Sequence, residues 1–508
     1  MKLHVGLLKP DYGFETIFQQ YGIPYTLIGD NNSGNLTGFP IIIVNSVEDK
    51  YSKEKILKYV ASGGYVLTTT KCYQDLFRCN IKKKYISFAI ANDYIYREIG
   101  LVDFYQTFHI PIDKELSSVS DPLHISQRYY KAGCIINIPF DLQSLIGDFR
   151  SSRKKFYSQR KELPSEIVSR VSKGKINQII FRTIEYVFHK QNLPFVHAWF
   201  YPDEYENLFS FRVDTDFCNA ADALSLLSIC NKNAIRGTWF LDTASKEMLR
   251  TIYSQMKDQE IALHCDRHLV FEDYKQNYDN IGLGLTKLQR AGIDVHGFAA
   301  PFGEWNPTLD KALNDLYLNY SSEFVYDYDD FPLFPEKSHV LQIPIHPISI
   351  GRLRRSHFTN EEILKYFQYV VNEKMKTSQP IIVYHHPHHQ RFDVLDNIFQ
   401  YANEHDLWKP TMFEYYSWWL ERKRSIIQIH FDEDILKIKC NNPKITFRIT
   451  HNNKDFSFIK SDQPIKLCDI NWKENNNLSV PPDIRRIRKW HWRDALYNLE
   501  TKKAKAGK

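Results

Sequence analysis

No stretch of the 508-residue chain approaches the ~20 consecutive apolar residues that a membrane-spanning helix requires, so nothing in it reads as one. There is no Cys-x-x-Cys pair, which rules out a zinc ribbon and a thioredoxin-type redox motif. The N-terminus, Met1 to Pro10, is interrupted by Lys9 and Pro10 before an export-signal core could form. With only eight cysteines scattered along the chain, the expectation is reduced thiols and a cytoplasmic protein. A basic body, the footprint of a nucleic-acid partner, is missing as well. Nine of the 66 Lys/Arg and three of the 60 Asp/Glu fall between Asp483 and Lys508, so the remainder is electrically balanced and the net charge of +6 belongs to the tail. What is present is ordinary for a globular chain: 43% hydrophobic and 25% charged residues exclude wholesale disorder and a fibrous protein. At ~150 residues per domain, the length implies about three domains. No internal repeat is seen.

The pattern is α/β. Residues 3–8, 25–28, 40–44 and 65–69 are apolar strand candidates, with helices at 13–22 and from a Ser52 cap through Ala61, which describes a doubly wound parallel sheet over 1–147. A Lys/Arg/Ser-rich connecting region with one helix at 175–190 follows over 148–207. Seven strand candidates then alternate with helices over 208–422: 208–213, 237–241, 260–263, 297–300, 316–321, 341–345 and 381–384, with helical periodicity at 244–257, 272–291 and 360–377. About seven βα units suggest a closed or nearly closed parallel barrel with fewer strands than the eight-stranded form, a distorted (β/α)7 barrel. Short alternating strands at 423–475 form a small antiparallel β module, expected to be a sandwich, and 476–508 is a basic tail.

Chemistry in such barrels sits at the C-terminal ends of the strands. The first ends Arg212-Val213-Asp214-Thr215-Asp216, and period two places Arg212, Asp214 and Asp216 on one face. The third ends His264-Cys265-Asp266-Arg267-His268, whose histidines share a face if the segment turns helical. The fourth ends Ala299-Ala300-Pro301-Phe302-Gly303, and the seventh ends His385-His386-Pro387-His388-His389. Two histidines and one carboxylate make a three-point site with open positions, the arrangement of hydrolytic zinc.

These residues resemble the motifs of the polysaccharide deacetylase family (carbohydrate esterase family 4). By that resemblance Asp214 is the base and Asp216 a metal ligand, in Asp-Thr-Asp rather than the commoner adjacent pair. His264 and His268 match His-(Ser/Thr)-x-x-His, with Cys265 at the Ser/Thr position. Pro301 and Gly303 match Arg-x-Pro-x-Gly, with Ala299 replacing the arginine, and Tyr326 to Asp330 loosely echo the acidic-aromatic fourth motif. Arg212 is a candidate substitute for the missing arginine, since a cation within ~4–6 Å favours the charged form of a carboxylate. His386 is the candidate general acid, with His385 the alternate. The N-terminal region resembles the class I glutamine amidotransferase-like fold by topology, but Cys72 in Thr70-Lys71-Cys72-Tyr73 lacks a glycine-flanked elbow, so that domain is expected to be non-catalytic.

The resemblance implies a Zn2+ (or another divalent transition metal) on Asp216, His264 and His268, polarising an amide carbonyl and activating water. Asp214 would accept the proton, a backbone N–H near Phe302 would meet the oxyanion, and His386 would protonate the leaving amine. The partner implied is an N-acetylated sugar or glycan, with Trp305, Tyr326 and Tyr328 suited to stacking on sugar rings. Two alternatives stand beside it: an amidohydrolase of the same fold acting on a non-sugar amide, and a catalytically inactive scaffold. In the tail, Arg485, Arg486, Arg488 and Lys489 interleave with Trp490 and Trp492. That composition suits peripheral contact with the anionic inner face of a membrane, the other reading being docking on the protein's own surface.

Overall fold

The structure is a computed structural model, and it describes all residues except 30–35, 161–162, 245–254, 453–454, 462 and 475–508. The basic tail and most of the helix expected at 244–257 therefore lie outside the described residues. The described residues divide into two compact units, one built from 1–148, 171–204 and residues from 420 onward, the other from 149–170 and 205–419.

In the second unit, seven parallel strands form a curled sheet: β1 (Phe209–Asp214), β2 (Thr238–Asp242), β3 (Glu260–Cys265), β4 (Gly297–Phe298), β5 (Tyr320–Ser321), β6 (Leu341–Gln342) and β7 (Ile381–His385). Their order is β6-β5-β4-β3-β2-β1-β7. Both β1 and β7 are buried along their whole length, as strands covered on two faces must be. Beyond the end of β6, the His346 N–H donates to the Ile382 carbonyl of β7 at 2.9 Å, a backbone bond that spans the gap between the two outer strands. Helices pack outside, each with a local reason to start. Asn219 caps Ala220–Lys232, Asp273 caps Tyr274–Arg290, and Thr359 with Glu362 forms a capping box on Asn360–Thr377. Strands β4 to β6 are only two residues long, far shorter than expected.

The first unit holds five parallel strands in spatial order Tyr25–Leu27, Val5–Leu7, Ile41–Val44, Tyr65–Thr69 and Gly133–Ile138. The antiparallel Ile125–Tyr130 and Ser117–Ser120 follow, so the sheet is mixed rather than wholly parallel. The second helix begins at Lys50, not at a Ser52 cap: Asp49 is extended and its carboxylate accepts the Ser52 N–H at 2.7 Å. Cys72 is buried on the helix Thr70–Phe77, and burial pushes its thiol up.

The expected connecting region and separate β module are both revised. Ser151–Lys155 and Ser165–Ser169 pair as a hairpin of the barrel unit. Phe195–Pro202 pairs with Ile445–His451 in a four-stranded sheet, while Ile427–Asp432 and Ile435–Cys440 belong to another. The C-terminal strands thus complete the first unit rather than forming a sandwich of their own. Arg422 ties this unit together, donating to the carbonyls of Trp199, Gln19, Gln20 and Ala198 at 2.7–3.1 Å. Gly22, at φ 63°, leaves it room: a Cβ there would lie 2.4 Å from the guanidinium. Among the described residues, no helix is long and apolar enough to cross a membrane.

The bridge between β6 and β7 is reinforced by side chains. The Asp329 carboxylate accepts from His346 Nδ1 at 3.0 Å and Lys374 Nζ at 2.9 Å, and His346 Nε2 meets the Tyr366 hydroxyl at 3.0 Å. Burial alone would raise the Asp329 carboxyl, but His346 and Lys374 hold it well below the usual range. Such a carboxylate stabilises the fold above its unfolded pKa of ~4 and loses that contribution as pH falls. Asp329→Asn is expected to cost about 3 kcal/mol at pH 7, because it leaves the buried Lys374 ammonium without its carboxylate. Urea titrations of both proteins from pH 7 to pH 3 check this, the difference shrinking as the wild type is acidified.

Candidate metal centre

The first strand delivers three polar residues to the C-terminal end of the barrel. Arg212, 1% exposed, holds Asp214 with both arms of its fork, Nε to Oδ1 at 2.6 Å and Nη2 to Oδ2 at 2.7 Å. Its remaining nitrogen donates to the Ser322 carbonyl and, at 3.2 Å, to the Ser322 hydroxyl. Its charge lies over the Phe240 and Tyr384 rings, at 5.1 and 5.7 Å. Buried Thr215 then pins the strand end: its N–H and hydroxyl both donate to the Phe240 carbonyl, and its hydroxyl oxygen accepts the Asp242 N–H. Asp216 follows beyond the strand.

Asp216, His264 and His268 are the group among the described residues whose ligand atoms could hold a metal ion, all lying within 4.8 Å of one another. His264 Nε2 is 3.7 Å from Asp216 Oδ1 and His268 Nε2 is 3.7 Å from Oδ2. The Ala299 carbonyl, 2.8 Å from His264 Nδ1, can only accept, so Nδ1 carries the hydrogen and Nε2 offers its lone pair. His268 arrives by a bend rather than a helical turn. Asn280, from the helix Tyr274–Arg290, clamps that bend by accepting the Arg267 N–H at 2.7 Å and donating to the Arg267 carbonyl at 3.0 Å. Cys265 points away as a buried thiol raised well above its ordinary range by burial, so it adds no thiolate.

The electrostatics fit a cation. Burial, and then the Asp214 charge, push the Asp216 carboxyl up to about 8, and its buried Oδ1 has no hydrogen-bond donor. Burial lowers His264, and lowers His268 to about 3, so both imidazoles are neutral with free lone pairs. A carboxylate lacking a counter-ion beside two neutral imidazoles is the donor set of a catalytic divalent metal.

Pairing of β1 with β7 sets Val213 opposite His385, so His386 emerges beside the aspartates. His386 Nε2 is 3.5 Å from Asp216 Oδ1 and 4.0 Å from Asp214 Oδ2. Burial, with His389 and His385 nearby, holds its imidazole well below the ordinary value. His385, the alternate acid, is wholly buried with Nε2 against the Gln390 carbonyl at 3.0 Å and pairs with neither aspartate; its part is to hold the loop. His388 Nδ1 donates to the Asp216 carbonyl at 3.0 Å.

Of the four expected substrate contacts, Phe302, Trp305, Tyr326 and Tyr328, the structure brings Phe302 to the site: it is 45% exposed, at φ 59°, with its ring 4.8 Å from that of His268. Trp305 instead packs on Tyr326 in a tilted pair, centroids 4.4 Å apart, and Tyr328 packs on Phe156 with its hydroxyl meeting Lys154; all three are buried. Two residues escape sequence reasoning. Phe217, at φ 55° and 76% exposed, sets its ring 5.4 Å from that of His268, on the residue after Asp216. Glu323 is buried, accepts the Ala300 N–H at 3.1 Å, and is pushed up to about 7 by burial.

Comparison with known proteins finds no matching family model and no matching curated protein. Among solved structures, the chain is similar to a candidate polysaccharide deacetylase from Mycobacterium smegmatis (18% identity over 44% of this chain and 93% of that one, TM-score 0.37). It is also similar to a family 4 carbohydrate esterase from Streptomyces lividans in complex with acetate (13% identity, 39% and 90% covered, TM-score 0.30). A third is a CE4 family pseudoenzyme from Bacillus anthracis (16% identity, 42% and 68% covered, TM-score 0.32).

Since only the Asp216 proton competes with a cation for this donor set, zinc affinity should rise about tenfold per pH unit up to about pH 8 and then level. Competition against a chromophoric chelator between pH 6 and 9 measures this, and Asp216→Ala should remove the high-affinity site.

Proposed function

We propose that the chain is a metal-dependent N-deacetylase acting on an N-acetylated sugar of a glycan or glycoconjugate. The observation that carries this reading is the division of labour between two neighbouring aspartates: Arg212 occupies Asp214 on one side, whereas Asp216 faces two neutral histidines. One carboxylate is thereby reserved for protons and the other for a cation.

When bound, a divalent ion on Asp216, His264 and His268 supplies Lewis acidity toward a carbonyl and a water. The chain's own residues manage the proton. Each carboxylate oxygen has two lone pairs, so Asp214 keeps acceptor capacity beyond the Arg212 fork and takes a proton from the water that attacks the amide carbonyl. His386 starts neutral and lies 4.0 Å from Asp214, so it receives that proton and passes it to the departing nitrogen, yielding acetate and a free amine. Amide nitrogen is a poor leaving group, which is why this second transfer is needed. The exposed Phe302 and Phe217 rings beside His268 offer an apolar surface for a sugar face. The basic tail is proposed to bring the enzyme to glycans assembled on a membrane lipid.

Acetate release across a panel of N-acetylated sugar conjugates tests this. Asp214→Asn should retain zinc yet lose about 10²–10⁴ in turnover, and metal loss in this variant would show the two aspartates exchanged. His386→Ala should slow amide cleavage more than cleavage of an activated acetate ester, whose leaving group needs no proton.

A further inference from the structure

The short helix Ile350–Arg355 carries Arg352, Arg354 and Arg355 in its last turn. It meets the loop that bears His386 with nothing in between: a Cβ added at Gly351 would lie 2.2 Å from His389 Nδ1. Arg352 is neutralised by Glu166, Nε to Oε2 at 2.6 Å and Nη2 to Oε2 at 2.5 Å. Arg354 and Arg355 are both exposed, and among the described residues neither guanidinium forms an ion pair. Three guanidiniums thus share one carboxylate, leaving two positive charges on one turn. A cation near a helix C-terminus is ordinary, but one suffices for that, and a second uncompensated arginine beside the site costs repulsion with no return inside the chain.

We propose that Arg354 and Arg355 form an anion subsite that holds a phosphoryl group of the acceptor glycan. Guanidinium forks match phosphate oxygens, and a phosphoryl dianion balances the two unpaired charges, which one carboxylate does not. The assignment deepens the deacetylase reading and rests on it for the identity of the substrate, whereas the anion site rests on the arginines alone.

Two arms test it on the full chain. In the first, pyrophosphate is titrated calorimetrically into protein freed of metal, at low and high salt. R354A/R355A should bind at least about tenfold more weakly than the wild type, R354K/R355K should fall in between, and wild-type binding should weaken with salt. Binding within twofold across the variants overturns the site. In the second arm, kcat/KM is compared for an acetamido sugar with and without a phosphoryl group. The preference for the phosphorylated substrate should drop at least about tenfold in R354A/R355A. An unchanged preference, with pyrophosphate binding lost, overturns the substrate assignment and leaves a site for free phosphate. Loss of pyrophosphate binding in a protein that deacetylates neither sugar supports the anion site and refutes the deacetylase reading instead.

Discussion

A guanidinium 1% exposed cannot be tolerated without a carboxylate, and Arg212 has Asp214 in a bidentate grip at 2.6 and 2.7 Å. Much of the site follows from that pair. It fixes the Asp214 carboxyl plane, anchors β1 to the segment after β5 through Ser322, and leaves Asp216 to face His264 and His268. Removing either partner of a buried pair typically costs about 3–5 kcal/mol, so the arrangement is both a structural brace and a chemical filter. The guanidinium comes from β1 itself, two residues before the aspartate it holds.

The two aspartates divide by environment rather than by sequence. Asp214 has a cation at hydrogen-bond distance. Asp216 has burial and a like charge, which push its carboxyl up to about 8, a cost that a bound cation would relieve. The same burial holds the His386 imidazole well below its ordinary value, so in the proposed reaction it would accept a proton before donating one. Around this dry centre, Phe217 and Phe302 both hold left-handed backbone conformations that bulky residues seldom adopt, at φ 55° and 59°, and both put rings beside His268. Strain of this kind concentrates where function requires it.

Much of the barrel was legible because buried parallel strands read as continuous apolar runs; β1, β2, β3 and β7 fall where such runs occur. The helices Tyr274–Arg290 and Asn360–Thr377 were legible from their helical period. Strands β4 and β6 are shorter than their apolar runs, since backbone that has left the sheet after Phe298 or Gln342 keeps its apolar composition. The grouping of Asp216, His264 and His268 was legible from their places at strand ends, although the bend at His268, set by Asn280 far along the next helix, was not. Trp305 and Tyr328 were misplaced because proximity in sequence to a motif does not tell a buried ring from an exposed one. The pairing of Phe195–Pro202 with Ile445–His451 joins segments some 250 residues apart, beyond the reach of any local pattern.

The central claim is that a cation is held by Asp216, His264 and His268 while Asp214 stays with Arg212. Anomalous scattering at the zinc edge from crystals of the zinc-loaded protein tests it most directly. The account predicts one strong peak about 2.0–2.2 Å from an Asp216 oxygen and one nitrogen each of His264 and His268, with the Arg212–Asp214 fork intact. A peak coordinated by Asp214, or one lodged among His385, His386, His388 and His389 with the trio empty, would contradict it.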